Sequence, residues 1–146
     1  MNLRLAKKTD ILDMVEIVKK TFSKEDVKSA KEEFAEMFSK SVIKPIYVVA
    51  VEKEKIIGFA GYIPSWFDFN IYEVFWVAVS PDFQKKGIGK EIMEEVIRQI
   101  KLYDGHAKAY SIILSTSSPN FFKKCGFKTI SDLPNDNGVI MTINID

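Results

Sequence analysis

The sequence predicts a single domain of the α+β class, an α/β arrangement built on one mixed sheet, and three observations support this. Short runs rich in β-branched residues recur along the 146 residues and are typical of strands. Longer stretches place apolar residues at helical spacing. Strands and helices do not alternate strictly, as they would around a wholly parallel sheet. No linker, internal repeat or low-complexity segment divides the chain, so residues 1–146 are expected to form one domain.

The first part of the chain predicts one strand and two helices. Residues 2–5, NLRL, fit a short strand. Thr9 or Asp10 can cap a first helix, and Ser23 with Asp26 has the spacing of a capping box before a second. The apolar stripe of the first helix is Ile11, Val15, Val18 and Phe22. The second helix would bury Val27, Ala30, Phe34, Met37 and Phe38.

Three long strands follow. Residues 46–51 are rich in β-branched side chains, and residues 56–63 return after a charged turn at 52–55, which predicts a hairpin. Residues 64–70 form a loop with aromatic side chains, and residues 71–79 form the third strand.

The second half of the chain begins with the clearest helical periodicity, at about 87–103, followed by Gly105 as an expected stop. The stripe of this helix is Ile88, Ile92, Val96 and Ile100. Residues 109–115 predict a buried strand and residues 119–124 a short helix. The last segments are strands at 127–130 and 139–145 around a turn at 133–138.

The overall composition excludes several classes of function. Lysine and arginine total 21 against 20 acidic residues, which gives no reason to expect a nucleic acid partner. No basic block or long apolar run suggests a membrane. Cys125 is the only cysteine, so no internal disulfide is expected and a cytoplasmic location is the simplest. With His106 as the only histidine, the chain offers no usual zinc site, and no metal is expected.

The stretch QKKGIGK, residues 84–90, lies between the third long strand and the strong helix. Glycine in a first helical turn weakens the helix, so bare backbone is expected to serve a purpose there. Helix N-termini bind phosphate through free N–H groups and a positive partial charge, and the neighbouring lysines add to that charge. The spacing matches neither the P-loop nor the dinucleotide fingerprint. A pyrophosphate cradle is predicted; the alternative is a tight turn with solvated lysines.

Residues 77–93, VAVSPDFQKKGIGKEIM, closely resemble the acetyl-CoA signature of the GNAT superfamily of N-acetyltransferases. Gln84, Gly87 and Gly89 stand at its glutamine and glycine positions. A second block, NFFKKCGFK at 120–128, resembles the family's short helix with an aromatic pair followed by Gly-Phe. The element order is also similar. The resemblance covers essentially the whole chain and implies a mostly antiparallel sheet in which the fourth and fifth strands splay apart.

The resemblance implies that acetyl-CoA is the cosubstrate and lies between the strand ending at Val79 and the strand at 111–115. The pantetheine arm would pair with the strand backbone, and the pyrophosphate would meet the N–H groups of the cradle. Ser115 stands where the family often has asparagine, and Thr116, Ser117 or Asn120 could make that hydrogen bond instead. The residues expected to bind acetyl-CoA are Val77, Val79, Gln84, Lys85, Lys86, Gly87, Ile88, Gly89, Lys90, Ser115, Asn120, Phe122 and Lys123.

The resemblance also implies direct attack of a primary amine on the thioester, with the developing oxyanion held by the backbone N–H of Val77. Glu73 lies where some members place a base; a carboxylate among aromatic residues would have a raised pKa, which suits that role. The alternative is a strand residue that reaches solvent or pairs with a lysine. Phe122 replaces the usual tyrosine acid. A thiol with a cysteine-like pKa of ~8.5 can leave without much help.

The acceptor is less well defined. Aromatic residues, with Glu73, fall on segments that line the acceptor site in the family; the expected contacts are Phe22, Tyr62, Trp66, Tyr72 and Glu73. No acidic cluster is evident there, which argues against a polycation. A small amine, a peptide N-terminus and a lysine stay open. The alternatives to an enzyme are a non-catalytic acyl-CoA sensor and a subunit of a larger complex. The apolar last strand would allow a homodimer.

Overall fold

The structure is a computed structural model that describes residues 1–102 and 111–145. Its strands are β1 (Asn2–Leu5), β2 (Ile46–Glu52), β3 (Lys55–Pro64), β4 (Ile71–Val79), β5 (Ser111–Thr116), β6 (Lys128–Asp132) and β7 (Val139–Asn144). Its α-helices are α1 (Ile11–Thr21), α2 (Val27–Glu36), α3 (Ile88–Leu102) and α4 (Pro119–Lys124). The expected helix end at 103, Gly105, His106 and the strand residues 109–110 lie outside the described residues.

These strands form one sheet in the spatial order β1-β2-β3-β4-β5-β7-β6. Neighbouring strands are antiparallel except β4 and β5, which pair in parallel. The predicted α+β class with a mixed sheet is therefore confirmed. Strand β7 has hydrogen-bonded neighbours on both sides, β5 and β6. The homodimer expected from this apolar strand stays a prediction.

The helices cover both faces of the sheet, and each face has its own core. On the first face, α1 and α2 pack against side chains that include Tyr47, Val49, Phe59 and Ala78. On the second face, α3 and α4 pack against side chains that include Val48, Tyr72, Val74 and Met141. The predicted α3 stripe is buried at Ile88, Ile92, Val96 and Ile100. Strands that are covered on both faces read as nearly continuous apolar runs, as β2 and β3 do.

Two of the predicted core aromatic residues lie at the surface. Phe22 follows the end of α1 and is 48% exposed, and Phe38 follows the end of α2 and is 37% exposed. Both positions continue the helical spacing in the sequence, but each helix stops before the position is reached. The side chains are therefore no longer directed toward the core by a helical turn.

The predicted helix caps form differently from expectation. Asp10 does not cap α1; its buried carboxylate accepts the Lys7 N–H at 2.7 Å and two bonds from Arg4, at 2.6 and 3.1 Å. Asp10 thus ties β1 to the 3₁₀ turn that leads into α1. The Ser23 side chain accepts no backbone N–H of the second helical segment; its hydroxyl instead donates to Asp26 Oδ2 at 2.9 Å.

The β2–β3 hairpin is confirmed. Glu52 pairs with Lys55, and the two residues between them, Lys53 and Glu54, have φ angles of 49° and 66°. Two successive positive φ angles are typical of the tight turn whose twist matches antiparallel strands.

Strand β4 contains the irregularity that opens the sheet. Its pairing with β3 slips between Phe59 and Gly61, which leaves Trp76 and Val77 without Cα partners on β3. Trp76 has a φ of 51°, a costly conformation for a bulky side chain. Such a bulge bends a strand and increases its twist. Parallel pairing of β4 with β5 covers Ile71 to Glu73 only, so the two strands diverge beyond that point.

Candidate active site

A groove of about 1040 Å³ lies where β4 and β5 diverge. One wall is β4 with the loop and first turn of α3, and the other is the end of β5 with α4. The lining residues from the first wall are Val74, Phe75, Trp76, Val77, Ala78, Val79, Phe83, Gln84, Lys85, Gly87, Ile88, Gly89 and Lys90. Those from the second wall are Leu114, Ser115, Thr116, Ser117, Ser118, Phe121, Phe122, Lys124 and Cys125, and Phe22 and Asn137 complete the set.

The loop before α3 presents its backbone N–H groups to this groove. None of the N–H groups from Lys85 to Lys90 donates a hydrogen bond to another described residue. Lys85 and Gly87 have φ angles of 62° and 80°, which turn successive peptide units so that their N–H groups can converge. The Gln84 side chain braces the loop, because its Nε2 donates to the Val79 carbonyl at 3.0 Å. Unpaired donors beside a helix N-terminus form an anion site.

The two glycines of the loop serve different purposes. Gly87 needs its backbone conformation: a Cβ there would meet nothing within 4 Å, but the positive φ disfavours any other residue. Gly89 needs its small size, because a Cβ there would lie 3.0 Å from Phe121 Cζ and 3.6 Å from Val79 Cγ2.

Three positively charged side chains, Lys85, Lys90 and Lys124, also line the groove. Three further residues expected to bind acetyl-CoA do not line it. Lys86 turns its Nζ over the Phe83 ring, 5.3 Å from the centroid. Asn120 and Lys123 are exposed, because helical spacing turns them away from the side of α4 that carries Phe121 and Lys124.

The wall formed by β5 and α4 combines small polar and aromatic side chains. Ser115 lines the groove at its predicted position. The Thr116 hydroxyl accepts the Ser118 N–H at 2.9 Å, which shapes the turn into α4. Phe122 is buried and packs edge-to-face against Phe121, with ring centroids 4.9 Å apart. Phe122 therefore offers the groove an apolar surface and no proton.

Cys125 also lines the groove and is half-buried. Burial raises the pKa of its thiol; the charge of Lys90 lowers it and that of Glu94 raises it, with a net increase. A thiol with a raised pKa is a poor nucleophile.

Val77 lies at the centre of the β4 wall, within the bulge. Its backbone lacks a β3 partner at this position, and β4 has already separated from β5. Backbone groups freed by a bulge are available to a ligand, so the location fits both strand-like pairing and oxyanion binding.

Glu73 differs from its expected surroundings. It is exposed, and it does not line the groove. It pairs with Ile63 of β3 and with Ile113 of β5 at the last parallel step before the strands diverge. Side chains alternate along β4, which places Glu73 on the opposite face from Tyr72 and Val74, and its side chain reaches solvent, as in the alternative given for a strand residue.

The aromatic residues expected at the acceptor site separate into three locations. Phe22 lines the groove and packs edge-to-face against Trp76 at 5.2 Å between centroids. Tyr62 and Tyr72 are buried and line a separate cavity of about 80 Å³, closed by residues 42–44. Trp66 is 78% exposed and packs beside Phe69, outside the groove.

Several groove residues were missed from the sequence. Phe121, Lys124 and Cys125 share one face of α4, and their three- and four-residue spacing could have identified them. Asn137 comes from the turn before β7, and no local pattern brings that turn to β5. The contribution of the turn depends on tertiary pairing of β7 with β5.

The fold and the groove define a class of protein: a mixed sheet in which two neighbouring strands diverge to form a groove beside a helix N-terminus. Residues 44–129, more than half of the chain, match the family model described as Acetyltransferase (GNAT) domain. The chain therefore belongs to the GNAT family of acetyltransferases, as the sequence resemblance predicted.

Individual relatives agree with this assignment. An N-acetyltransferase of Gracilaria tenuistipitata var. liui, ycf52, described as uncharacterized, is 32% identical over 82 residues. The match covers 56% of this chain and 42% of that relative, so the chain spans less than half of its length.

Solved structures agree over the whole length. A GNAT-family acetyltransferase structure from Desulfovibrio desulfuricans has a TM-score of 0.87 at 21% identity and covers 99% of both chains. An aminoglycoside 6'-N-acetyltransferase complexed with coenzyme A has a TM-score of 0.83 at 20% identity and covers 100% of this chain and 98% of that one. At these identities the likeness establishes the fold alone, and the predicted GNAT fold is confirmed.

Two further features are absent from the part of the chain that the structure describes. No described helix is long and apolar enough to cross a membrane. No group of three or more potential metal ligands was found among residues 1–102 and 111–145.

Proposed function

We propose that the protein transfers an acetyl group from acetyl-CoA to a primary amine, by direct attack within a ternary complex. The observation that carries this proposal is the row of free N–H groups from Lys85 to Lys90 at the mouth of the groove between β4 and β5. An anion site at one end of a long groove suits a ligand with a diphosphate at one end and a thioester at the other.

Binding follows from the two walls of the groove. The N–H groups of the cradle, with Lys85 and Lys90, would hold the diphosphate, and Lys124 would add charge from the facing helix. The β4 backbone at Val77 and Val79 would pair with the pantetheine amides as a strand does. Phe122 would pack against the thioester and exclude water.

The chemistry would occur at the bulge. The Val77 N–H would stabilise the negative charge that develops on the thioester oxygen. The amine must arrive unprotonated or lose its proton there. Glu73 is proposed as the base that takes this proton, acting through water, because it is exposed and lies one step before the strands diverge. With phenylalanine at position 122, the thiolate would leave without a protein acid.

A non-catalytic acyl-CoA sensor is the second candidate function. Two observations favour it: Phe122 has no hydroxyl, and Glu73 does not line the groove. Both functions require the same cradle and differ only in turnover.

Calorimetric titration with acetyl-CoA and with S-acetylpantetheine, which lacks the diphosphate, tests the cradle. Release of free thiol in the presence of a panel of primary amines then tests turnover. Gly87→Val is the matched variant, because the positive φ of Gly87 disfavours any side chain while the space around it is open. We expect the wild-type protein to bind acetyl-CoA more tightly than S-acetylpantetheine, and Gly87→Val to lose affinity for acetyl-CoA. We also expect the wild-type protein to release free thiol when a suitable amine is present. Binding without release would favour the sensor, and absence of binding would overturn both functions.

A further inference from the structure

A carboxylate from a distant part of the chain stands beside the groove. The Trp76 indole Nε1, on the β4 bulge, donates a hydrogen bond to Glu33 Oε1 on α2 at 3.2 Å. The two residues are 43 positions apart in sequence. Trp76 lines the groove and Glu33 is exposed, so the carboxylate is open to a ligand that extends past the indole.

Aromatic rings accompany this carboxylate. The Phe22 ring packs edge-to-face on Trp76 at 5.2 Å, and both line the groove. Phe22 leaves nearly half of its surface exposed, an unusual state for a large apolar side chain next to a cavity. A carboxylate at the N–H edge of the indole, with the Phe22 ring packed on that indole, is a favourable site for an organic cation, through ion pairing and cation–π attraction.

The negative charge of Glu33 is not neutralised by the protein. No basic group among the described residues lies within ion-pair distance of its carboxylate. The Tyr47 hydroxyl is 1% exposed and has no hydrogen-bond partner among the described residues. Burial raises the pKa of this phenol, and the charge of Glu33 raises it further. The indole N–H is therefore the contact that the structure gives the carboxylate, and it does not cancel the charge.

The position of Glu33 decides what it can do. The attacked nitrogen must lie at the thioester, beside the β4 backbone. The Glu33 carboxylate accepts its bond from Nε1 in the five-membered ring of the indole, so that ring lies between the carboxylate and the β4 backbone. This separation from the backbone suits a second cationic group better than the attacked amine.

We propose that Glu33, with the rings of Phe22 and Trp76, binds a second ammonium group of the acceptor. The proposal rests on the transferase function proposed above and narrows its substrate to amines that carry another positive charge. The sequence argued against a polycationic acceptor because no acidic cluster is evident near the aromatic residues; the fold supplies a single carboxylate from α2.

The test uses probe pairs that differ in one group: linear diamines of three to six carbons, and the amino alcohols in which a hydroxyl replaces one ammonium. Affinities are measured calorimetrically with the full chain saturated with coenzyme A. For the best diamine we expect roughly fivefold tighter binding than for its amino alcohol. Glu33→Gln should remove that preference, since the amide oxygen still accepts the Trp76 N–H but carries no charge. Glu33→Asp should retain part of it.

Glu32→Gln is the matched control. Glu32 is exposed on the same helix, and its replacement removes the same charge one position away from Glu33. Equal affinity of the wild-type protein for diamines and amino alcohols would overturn the proposal, as would equal losses in Glu32→Gln and Glu33→Gln. If the protein acetylates these amines, Glu33→Gln should raise KM for the diamine. The variant should keep the kcat and the affinity for coenzyme A of the wild-type protein. Failure to bind coenzyme A would count against the transferase instead, and the probes can then be titrated against the free protein.

Discussion

Phe121 on α4 lies directly against Gly89 in the first turn of α3, so that a Cβ at position 89 would lie 3.0 Å from Phe121 Cζ. The two walls of the groove therefore touch at this pair. The second glycine of the signature permits packing between α3 and α4 as well as access to the backbone. Its neighbour Gly87 has open space around it and needs only its positive φ.

This contact predicts coupling between the two positions. Gly89→Ala gains helix propensity but forces the half-buried Phe121 ring to move, and we expect a net loss of about 1 kcal/mol in the free energy of unfolding. In a Phe121→Leu background the same substitution should be neutral or stabilising, since the ring is gone. Denaturant unfolding of the four proteins measures the coupling, and additive effects would mean that the two walls are independent.

The thiol of Cys125 should react slowly and report on the groove. Burial raises its pKa, with Glu94 adding to and Lys90 opposing the shift, so less thiolate is present at pH 7 than for a free cysteine. We expect alkylation with iodoacetamide to be slower than for a model thiol and slower again with acetyl-CoA bound. Cys125→Ser removes the only thiol, so its reaction with iodoacetamide measures the background rate of alkylation. An unchanged rate with acetyl-CoA present would place the ligand elsewhere.

Replacement of Glu73 tests the proposed base. In Glu73→Gln we expect at least about a tenfold lower rate at pH values below the pKa of the acceptor amine, where a proton must be removed, with little loss at higher pH. Affinity for acetyl-CoA should be kept. Glu16→Gln, on the exposed side of α1, is the control for a change in surface charge. A wild-type pH profile in Glu73→Gln would exclude Glu73 as the base.

Asp10 makes a pH-dependent contribution to stability. Burial alone would raise the pKa of its carboxyl, but the hydrogen bonds from Arg4 and the Lys7 N–H outweigh this and lower it below its ordinary value of 3.8. A lowered folded-state pKa stabilises the fold above the ordinary value, and this contribution is lost as the pH falls below it. We expect Asp10→Asn to cost about 2 kcal/mol at pH 7 and progressively less in more acidic solution.

Unfolding by urea at several pH values between neutral and acidic conditions measures this difference. Asp13→Asn, on the exposed side of α1, is the matched control and should show little cost at any pH. A cost for Asp10→Asn that did not change with pH would show that the carboxylate charge is unimportant.

Local patterns predicted most of the secondary structure, because the determining information lies within a few residues. The stripe of α3 repeats at helical spacing, and all four of its predicted members are buried. The charged turn between β2 and β3 is short enough that its two positive-φ residues follow from the hairpin itself. The capping interactions were less predictable, since Asp10 bonds to Arg4 of β1 rather than to its own helix.

The β4 bulge could not be found in the sequence. IYEVFWVAV is apolar throughout except at Glu73, so its pattern gives no sign that Trp76 adopts a positive φ. The bulge results from pairing with β3 and from the packing of Trp76 against Phe22 and Phe34, which come from two other elements. It determines that Glu73 faces solvent while Val77 faces the groove.

By itself, the sequence determined the class of fold, the glycine-containing cradle before α3 and the membership of the family, because each depends on residue types at short, fixed spacings. Only the tertiary structure decided which side chains meet. Packing of α4 placed Phe121 on Gly89, and packing of α2 placed Glu33 on Trp76. Such contacts join segments that are far apart in sequence, and they form only when burial of apolar surface brings helices and sheet together.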